Sequence, residues 1–243
     1  MSGHSHFATI RRQKEANDSV KGKVFSKMAK VIAVAVREGG GADPDSNYKL
    51  RVAVEAARAE NVPKDNIKRA IDNASSVGNM DEVTYEGFGP GGINVMVTAM
   101  TDNRNRTVQE IKNIFERAGG TLGGPNSVAF NFEKKGFILV NKSGDADEQM
   151  LKLIDIGADD VNDVGDGIEV YVAPDKLFEK RKAIEGAGFS AVSMELIEKP
   201  KTLQTIDNAD TARKFMTFID TLEESDDVQN VFTNADIPET LAL

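Results

Sequence analysis

The hydrophobic periods and turn residues of this 243-residue sequence predict a multidomain protein of α and α+β class. It would comprise an N-terminal helical bundle, a middle α+β domain, and a ferredoxin-like α+β domain inserted in the middle one. Three observations carry this reading. Apolar residues recur at intervals of three and four through Ala74 and mainly at intervals of two beyond it, the change from a helical to a strand period. Residues 137–197 read β-α-β-β-α-β, the element order of a ferredoxin-like unit and complete by itself. The helix and strand after that unit have no partners within it, whereas the strands of residues 83–132 lack a closing element. The expected boundaries are therefore 1–78, then 79–135 with 201–243, and 136–200 as the insert.

Each element has its own signal. Val24, Phe25, Met28, Val31, Ile32, Ala35 and Val36 form one helical face, which Gly39, Gly40 and Gly41 end. Asp43, Pro44, Asp45, Ser46 and Asn47 supply a turn and a cap for a second helix with Leu50, Ala53, Val54 and Ala57 inward. Pro63 suits the first turn of a third helix, whose stripe is Ile67, Ala70, Ile71 and Ala74. Val83–Phe88 and Ile93–Met100 read as strands joined by Gly89-Pro90-Gly91-Gly92. Thr107 and Glu110 have capping-box spacing before Ile111, Ile114, Phe115 and Ala118. Val128 to Phe132 alternates like a half-buried strand.

The insert is expected as strand 137–141, helix 145–156, strands 159–164 and 167–172, helix 174–187 and strand 191–197. Pro200 opens the way to a helix with Ala212, Phe215, Met216, Ile219 and Leu222 inward, then a last strand, Val228–Thr233.

Composition narrows the function classes. An apolar content of 40% with 28% charged residues is that of globular rather than disordered chains. No apolar run approaches the roughly 20 residues that span a bilayer, and no secretory signal pattern opens the chain, so a cytoplasmic protein without a membrane partner is expected. The chain has no cysteine, which excludes disulfides, thiol catalysis and zinc–thiolate sites. With no Trp and three Tyr, extended base-stacking platforms are not expected.

Charge is segregated. Residues 1–37 hold Arg11, Arg12, Lys14, Lys21, Lys23, Lys27, Lys30 and Arg37 against Glu15 and Asp18, a net +6 within a chain of −9, which leaves −15 for the remainder. Such a chain offers a basic arm to a polyanion and an acidic body that repels the same polyanion. Arg11, Arg12, Lys14, Lys21, Lys23 and Lys27 are read as phosphate contacts, which give affinity and salt dependence but no sequence choice. Phe7 is either a stacking ring or an apolar staple, and His4 and His6 are read as partly protonated groups near phosphate.

Two histidines without cysteine are too few for a structural zinc cluster. A Ser2-Gly3-His4 chelate of Cu(II) or Ni(II) would be incidental, so neither metal nor cofactor is expected. Arg104 and Arg106 precede a helix N-terminus, where an anion could bridge them to the free amides. The alternative is pairing with Asp102 or Glu110.

Gly87-Phe88-Gly89-Pro90-Gly91-Gly92 satisfies G-x-G-x-x-G, but a strand follows where a dinucleotide site needs a helix. A hairpin turn using positive φ is the better account. Asp145, Asp147, Asp159, Asp160, Asp163, Asp166, Asp226 and Asp227 are read as caps and solubilising charge, with no catalytic set nameable from spacing.

Several segments together resemble the YebC family over essentially the whole length. They are Gly3-His4-Ser5, Gly22-Lys23, Gly39-Gly40-Gly41, Asp43 to Asn47, Pro63 to Ile67, Tyr85 to Gly92, Thr101 to Thr107 and Asp226 to Val231. The sequence has His6-Phe7 where that family usually has Lys-Trp, Arg12-Gln13 where His-Arg is common, and an unusual Gly124-Pro125-Asn126 loop.

The resemblance implies a helical domain and two α+β domains, the last ferredoxin-like and inserted in the second. It also implies a bacterial cytoplasmic protein described as a DNA-binding transcriptional regulator. The mitochondrial relative is a translational activator, and bacterial members are linked to ribosomes stalled on proline runs. The expectation is a monomeric, non-enzymatic regulator of gene expression that binds nucleic acid, either DNA or ribosomal or transfer RNA. An acidic adaptor that binds only protein is the alternative.

Overall fold

The computed structural model describes residues 20–74, 80–165 and 167–241, apart from the side chains of residues 20–23 and 239. Three helices come first: α1 (Val20–Glu38), α2 (Tyr48–Ala59) and α3 (Lys64–Asp72). Ile32, Ala35, Leu50, Ala53, Val54, Ala57, Val62 and Ile67 form their common core. Ala33 and Val34 are buried as well, so α1 is covered on a second face that its apolar stripe did not announce.

Asn47 ties the first two helices together. Its side-chain oxygen accepts from Leu50 N at 2.9 Å, capping α2, while Nδ2 donates to the carbonyls of Ala35 at 2.8 Å and Gly41 at 2.7 Å. It is fully buried, and a Cβ on Gly39 would collide with it.

An antiparallel hairpin follows, β1 (Asp81–Phe88) with β2 (Asn94–Thr101). Gly91 and Gly92 between the strands have φ of +80° and +73°, a backbone that side chains resist. Then come α4 (Arg104–Arg117) and β3 (Thr121–Leu122). Far along the chain, α7 (Ala209–Glu224) and β9 (Val228–Thr233) return to this unit, giving a sheet ordered β3-β1-β2-β9. Its core is Val95, Val97, Ile111, Phe115, Phe215, Phe218, Ile219 and Leu222. Phe115 and Phe218 meet edge to face at 4.9 Å, a favoured aromatic geometry.

Between these halves lie β4 (Phe132–Asn141), α5 (Ala146–Asp155), β5 (Asp160–Asp163), β6 (Gly167–Val172), α6 (Leu177–Gly186) and β7 (Ala191–Pro200). Their strands form a second sheet ordered β5-β6-β4-β7, antiparallel throughout. Ile138, Val140, Leu153, Ile168, Val170, Leu177 and Ile184 fill the core shared by that sheet and its helices. A further cluster joins Met96 and Phe232 of the first sheet to Phe132, Phe137, Tyr171 and Ile197 of the second. The two sheets therefore share an apolar seam. Two short strands, β8 (Gln204–Thr205) and β10 (Ala235–Asp236), pair in parallel beside it.

Three expectations need correction. α4 begins at Arg104, with Asn103 as its cap accepting from Arg106 N; Thr107 is held elsewhere, as described below. Residues 128–131 are not a strand: Ala129–Asn131 make one tight 3-10 turn, because Glu86 takes the backbone amides that a sheet neighbour would need. β4 then runs unbroken from Phe132 through Gly136 to Asn141, where the expected strand began only at Phe137. At Gly136 a Cβ would stand 2.9 Å from side-chain carbons of Leu177 and Val172, so glycine there admits close packing of α6.

Asn47→Ala removes a cap, worth about 1 kcal/mol, and leaves buried carbonyls unpaired at about 1–3 kcal/mol. Denaturant unfolding followed by circular dichroism should show a loss of about 2–4 kcal/mol in stability.

Candidate nucleic-acid interface

The basic arm leads into α1, and the cations α1 carries have defined partners. Lys27 Nζ donates to the Glu223 carbonyl at 2.6 Å. Lys30 Nζ donates to the Asp226 carbonyl at 2.9 Å and to Asp227 Oδ1 at 3.3 Å. Arg37 reaches the Met80 carbonyl at 2.5 Å. Glu223 lies in the last turn of α7, so Lys27 and Lys30 set positive charge at the negative end of that helix, where it is stabilising. Lys27 is thus a ligand of a helix terminus within the protein.

Asp227 is the centre of this junction. It is buried, and its Oδ2 accepts from Arg106 Nη2 at 2.8 Å and from Thr107 Oγ1 at 2.8 Å while Oδ1 faces Lys30. The Thr107 hydroxyl in turn lies 2.7 Å from the hydroxyl of Thr101, which is why Thr107 is not the cap. Arg106 also pairs with Asp102 at 2.8 Å.

Burial alone would push the Asp227 carboxyl up, but Arg106, Thr107 and Lys30 together hold it below the usual carboxylate range. One carboxylate thereby binds α1, α4 and the turn from α7 into β9. The sequence alone groups Asp227 with acids that read as caps and solubilising charge. The missed signal was Thr101 to Thr107 and Asp226 to Val231 as complementary halves of one contact.

Glu110 and Asp226 line the same polar cleft as Lys30, Arg106 and Asp227, about 330 Å³ in volume. With three carboxylates against two cations it is no anion site. Arg104 is likewise paired, with Asp81 at 2.7 Å, but both side chains are more than half exposed. Such a surface pair contributes at most about 1 kcal/mol and exchanges readily for another anion. The free-amide bridge expected of Arg104 and Arg106 meets competition from Asp81, Asp102 and Asp227.

The acids otherwise behave locally. Asp145 caps α5 by accepting from the amides of Asp147 and Glu148, and Asp159, Asp160 and Asp163 pair with Lys135, Lys199 and Lys142. His4, His6, Phe7, Arg11, Arg12 and Lys14, the side chains of Lys21 and Lys23, and Asp166 lie outside the described residues.

On the far side, α2 meets the second sheet's unit. Tyr48 Oη donates to the Pro174 carbonyl at 2.7 Å, Arg51 stacks over Phe178 at 5.5 Å, and Glu55 pairs with Arg181 at 2.9 Å.

Fold and junction define a multidomain mixed α/β protein in which a helical unit, continuous with a basic arm, is clasped to an acidic α+β body. The chain belongs to the TACO1/YebC family. Residues 5–77 match the model of the TACO1/YebC N-terminal domain, and residues 80–235 match that of the second and third domains.

A protein of Pelotomaculum thermopropionicum named a probable transcriptional regulatory protein is 45% identical over 98% of this chain and 99% of its own length. One of the same name from Deinococcus radiodurans is 42% identical over 98% of each chain. The crystal structure of a conserved hypothetical protein from Aquifex aeolicus superposes with a TM-score of 0.84 at 40% identity, covering 93% of this chain and 95% of that one. No helix among the described residues is long and apolar enough to cross a membrane.

Asp227→Asn leaves Arg106 and Lys30 facing a neutral amide and should lower stability by about 1.5–3 kcal/mol, the scale of hydrogen bonds to a charged group. Because folding lowers the Asp227 pKa, the wild-type contribution is present above the unfolded value near ~3.9 and fades as pH falls through the folded one. The stability difference between wild type and variant, read by denaturant unfolding, should be full at pH 7 and shrink below about pH 4.

Proposed function

We propose that this chain is a non-enzymatic regulator of gene expression that acts in the cytoplasm by binding nucleic acid through its N-terminal arm. The observation that carries the reading is the charge partition: +6 in residues 1–37 against −15 in the rest. Within the arm, Lys27, Lys30 and Arg37 bond within the protein. Arg11, Arg12, Lys14, Lys21 and Lys23 are then the phosphate contacts, with His4, His6 and Phe7 at the tip and Arg104 accessory. Relatives named as probable transcriptional regulatory proteins favour a role in expression. Two buried carboxylates support binding over catalysis, since Glu86 and Asp227 are committed to structural hydrogen bonds.

On this reading the chain has three domains, 1–78, 79–135 with 201–243, and an insert at 136–200 whose order β5-β6-β4-β7 is that of a ferredoxin-like unit. Structured RNA on the ribosome is the preferred target over duplex DNA. A basic arm without helix-turn-helix spacing, in a sequence without the features of a symmetric dimer that reads palindromes, suits shape and phosphate recognition better than a palindromic operator. The ion pair of Lys30 with Asp227 favours one competing reading, an adaptor whose basic segment packs internally and whose acidic faces bind protein.

Changing Arg11, Arg12 and Lys14 together to Glu separates the two. The nucleic-acid reading expects cosedimentation with ribosomes that is lost between low and high salt, and an affinity lowered about 100-fold or more in the variant. Undiminished association of the variant would favour the adaptor. A sequence-selective gel shift on DNA without ribosome binding would move the target to the promoter.

A further inference from the structure

Phe130 is 70% exposed, yet the loop that carries it is built rigidly. Glu86, itself buried, accepts backbone hydrogen bonds from Asn126 at 2.8 Å, Val128 at 2.9 Å and Ala129 at 2.8 Å. Burial would push its carboxyl up, but the three amides hold it below the usual range. On the other side of the ring, buried Asn131 is stitched to the end of β7. Its Nδ2 donates to the Thr202 carbonyl at 3.1 Å, and its Oδ1 accepts from Thr202 N at 3.1 Å and Oγ1 at 2.6 Å. Val128 is fully buried. A loop pinned at both ends that points a phenyl ring into water forgoes about 2 kcal/mol of burial, which is the arrangement expected of a preorganised contact.

Charge around the ring indicates its partner. Lys201 Nζ donates to the Phe130 carbonyl at 2.9 Å, which fixes the ammonium on the loop that carries the ring without neutralising it. Of the lysines on the stitched segments 130–135 and 198–203, Lys135 and Lys199 pair with Asp159 and Asp160. Lys201 is exposed, and Lys134, 82% exposed, meets Glu198 only at 3.9 Å. An apolar protein pocket would gain nothing from those lysines, whereas a nucleotide presents a flat base to the ring and a phosphate to the ammonium groups.

We infer that Phe130, Lys201 and Lys134 form a second nucleic-acid contact, remote in sequence from the arm, which takes one unpaired nucleotide: the base stacks on Phe130 and the phosphate is met by Lys201 and Lys134. A base inside a duplex offers no free face, so the contact selects single-stranded segments or flipped bases. It rests on the nucleic-acid reading above and adds to it a preference for exposed bases.

The chain contains no Trp, so Phe130→Trp in the full-length protein places a single indole reporter at the ring. Its emission should be quenched saturably by a single-stranded RNA 12-mer and not by the same sequence as a duplex. Fluorescence anisotropy with labelled RNA should show Phe130→Ala weakening single-strand binding roughly 5- to 100-fold with duplex binding unchanged. Phe130→Trp should keep wild-type affinity, and Lys201→Gln should flatten the salt dependence by about one contact.

An unquenched indole, with Phe130→Ala binding like wild type, would overturn the inference while leaving arm-mediated binding intact, and would assign the ring to a protein partner. Failure of the wild-type chain to bind either RNA would overturn both readings together.

Discussion

A carboxylate withdrawn from water must be paired, and Asp227 meets that requirement by drawing three parts of the chain to one point. Lys30 comes from the helical unit, Arg106 and Thr107 from the start of α4, and the acid itself from the turn between α7 and β9. A lone buried charge costs several kcal/mol, so none of these elements can move independently without exposing the group or stranding it. Lys27 and Lys30 reinforce the junction by meeting the carboxyl end of α7. The position of α1 relative to the first sheet is therefore set electrostatically, while its relation to α2 and α3 is set by burial and by Asn47.

This arrangement divides the labour among the cations. Those on the inner part of α1 organise the protein, and on the proposed function those nearer the N-terminus serve an outside polyanion. The acidic body limits where such a polyanion can lie, since most of its surface repels phosphate. The exception inferred above is the Phe130 loop, held in place by Glu86 and Asn131, with Lys201 bonded to it. Arm and ring would then supply different things: long-range attraction in one case and a geometric test for an unstacked base in the other.

Much of the architecture was legible because local signals and burial agree. β9 occupies Val228–Thr233 as the β-rich run indicates, and the stripe Leu50, Ala53, Val54 and Ala57 is the buried face of α2. Where reading failed, a distant group had overridden a local one. Thr107 has the look of a cap but its hydroxyl is claimed by Asp227 and Thr101, so Asn103 caps the helix instead. Residues 128–131 alternate like a strand, but Val128 and Ala129 give their amides to Glu86, far back in the sequence. β4 begins five residues before the expected Phe137, and Gly136 within it is a point of close helix packing. Asp227 could not be told from its acidic neighbours because burial depends on tertiary context that a list of charges lacks. Within the candidate interface, the arm's charge was plain in the sequence, whereas the diversion of Lys27 to Glu223 depended on which helix end lay beside it.

The central claim is that phosphate is bound by cations of the arm, and the salt dependence of binding measures this most directly. With five phosphate contacts, from Arg11, Arg12, Lys14, Lys21 and Lys23, the logarithm of affinity for duplex nucleic acid should fall against the logarithm of salt concentration with a slope of about −4.5. Converting the first three to Gln should reduce that slope to about −2. A slope near zero, or one unchanged by those substitutions, would contradict the account.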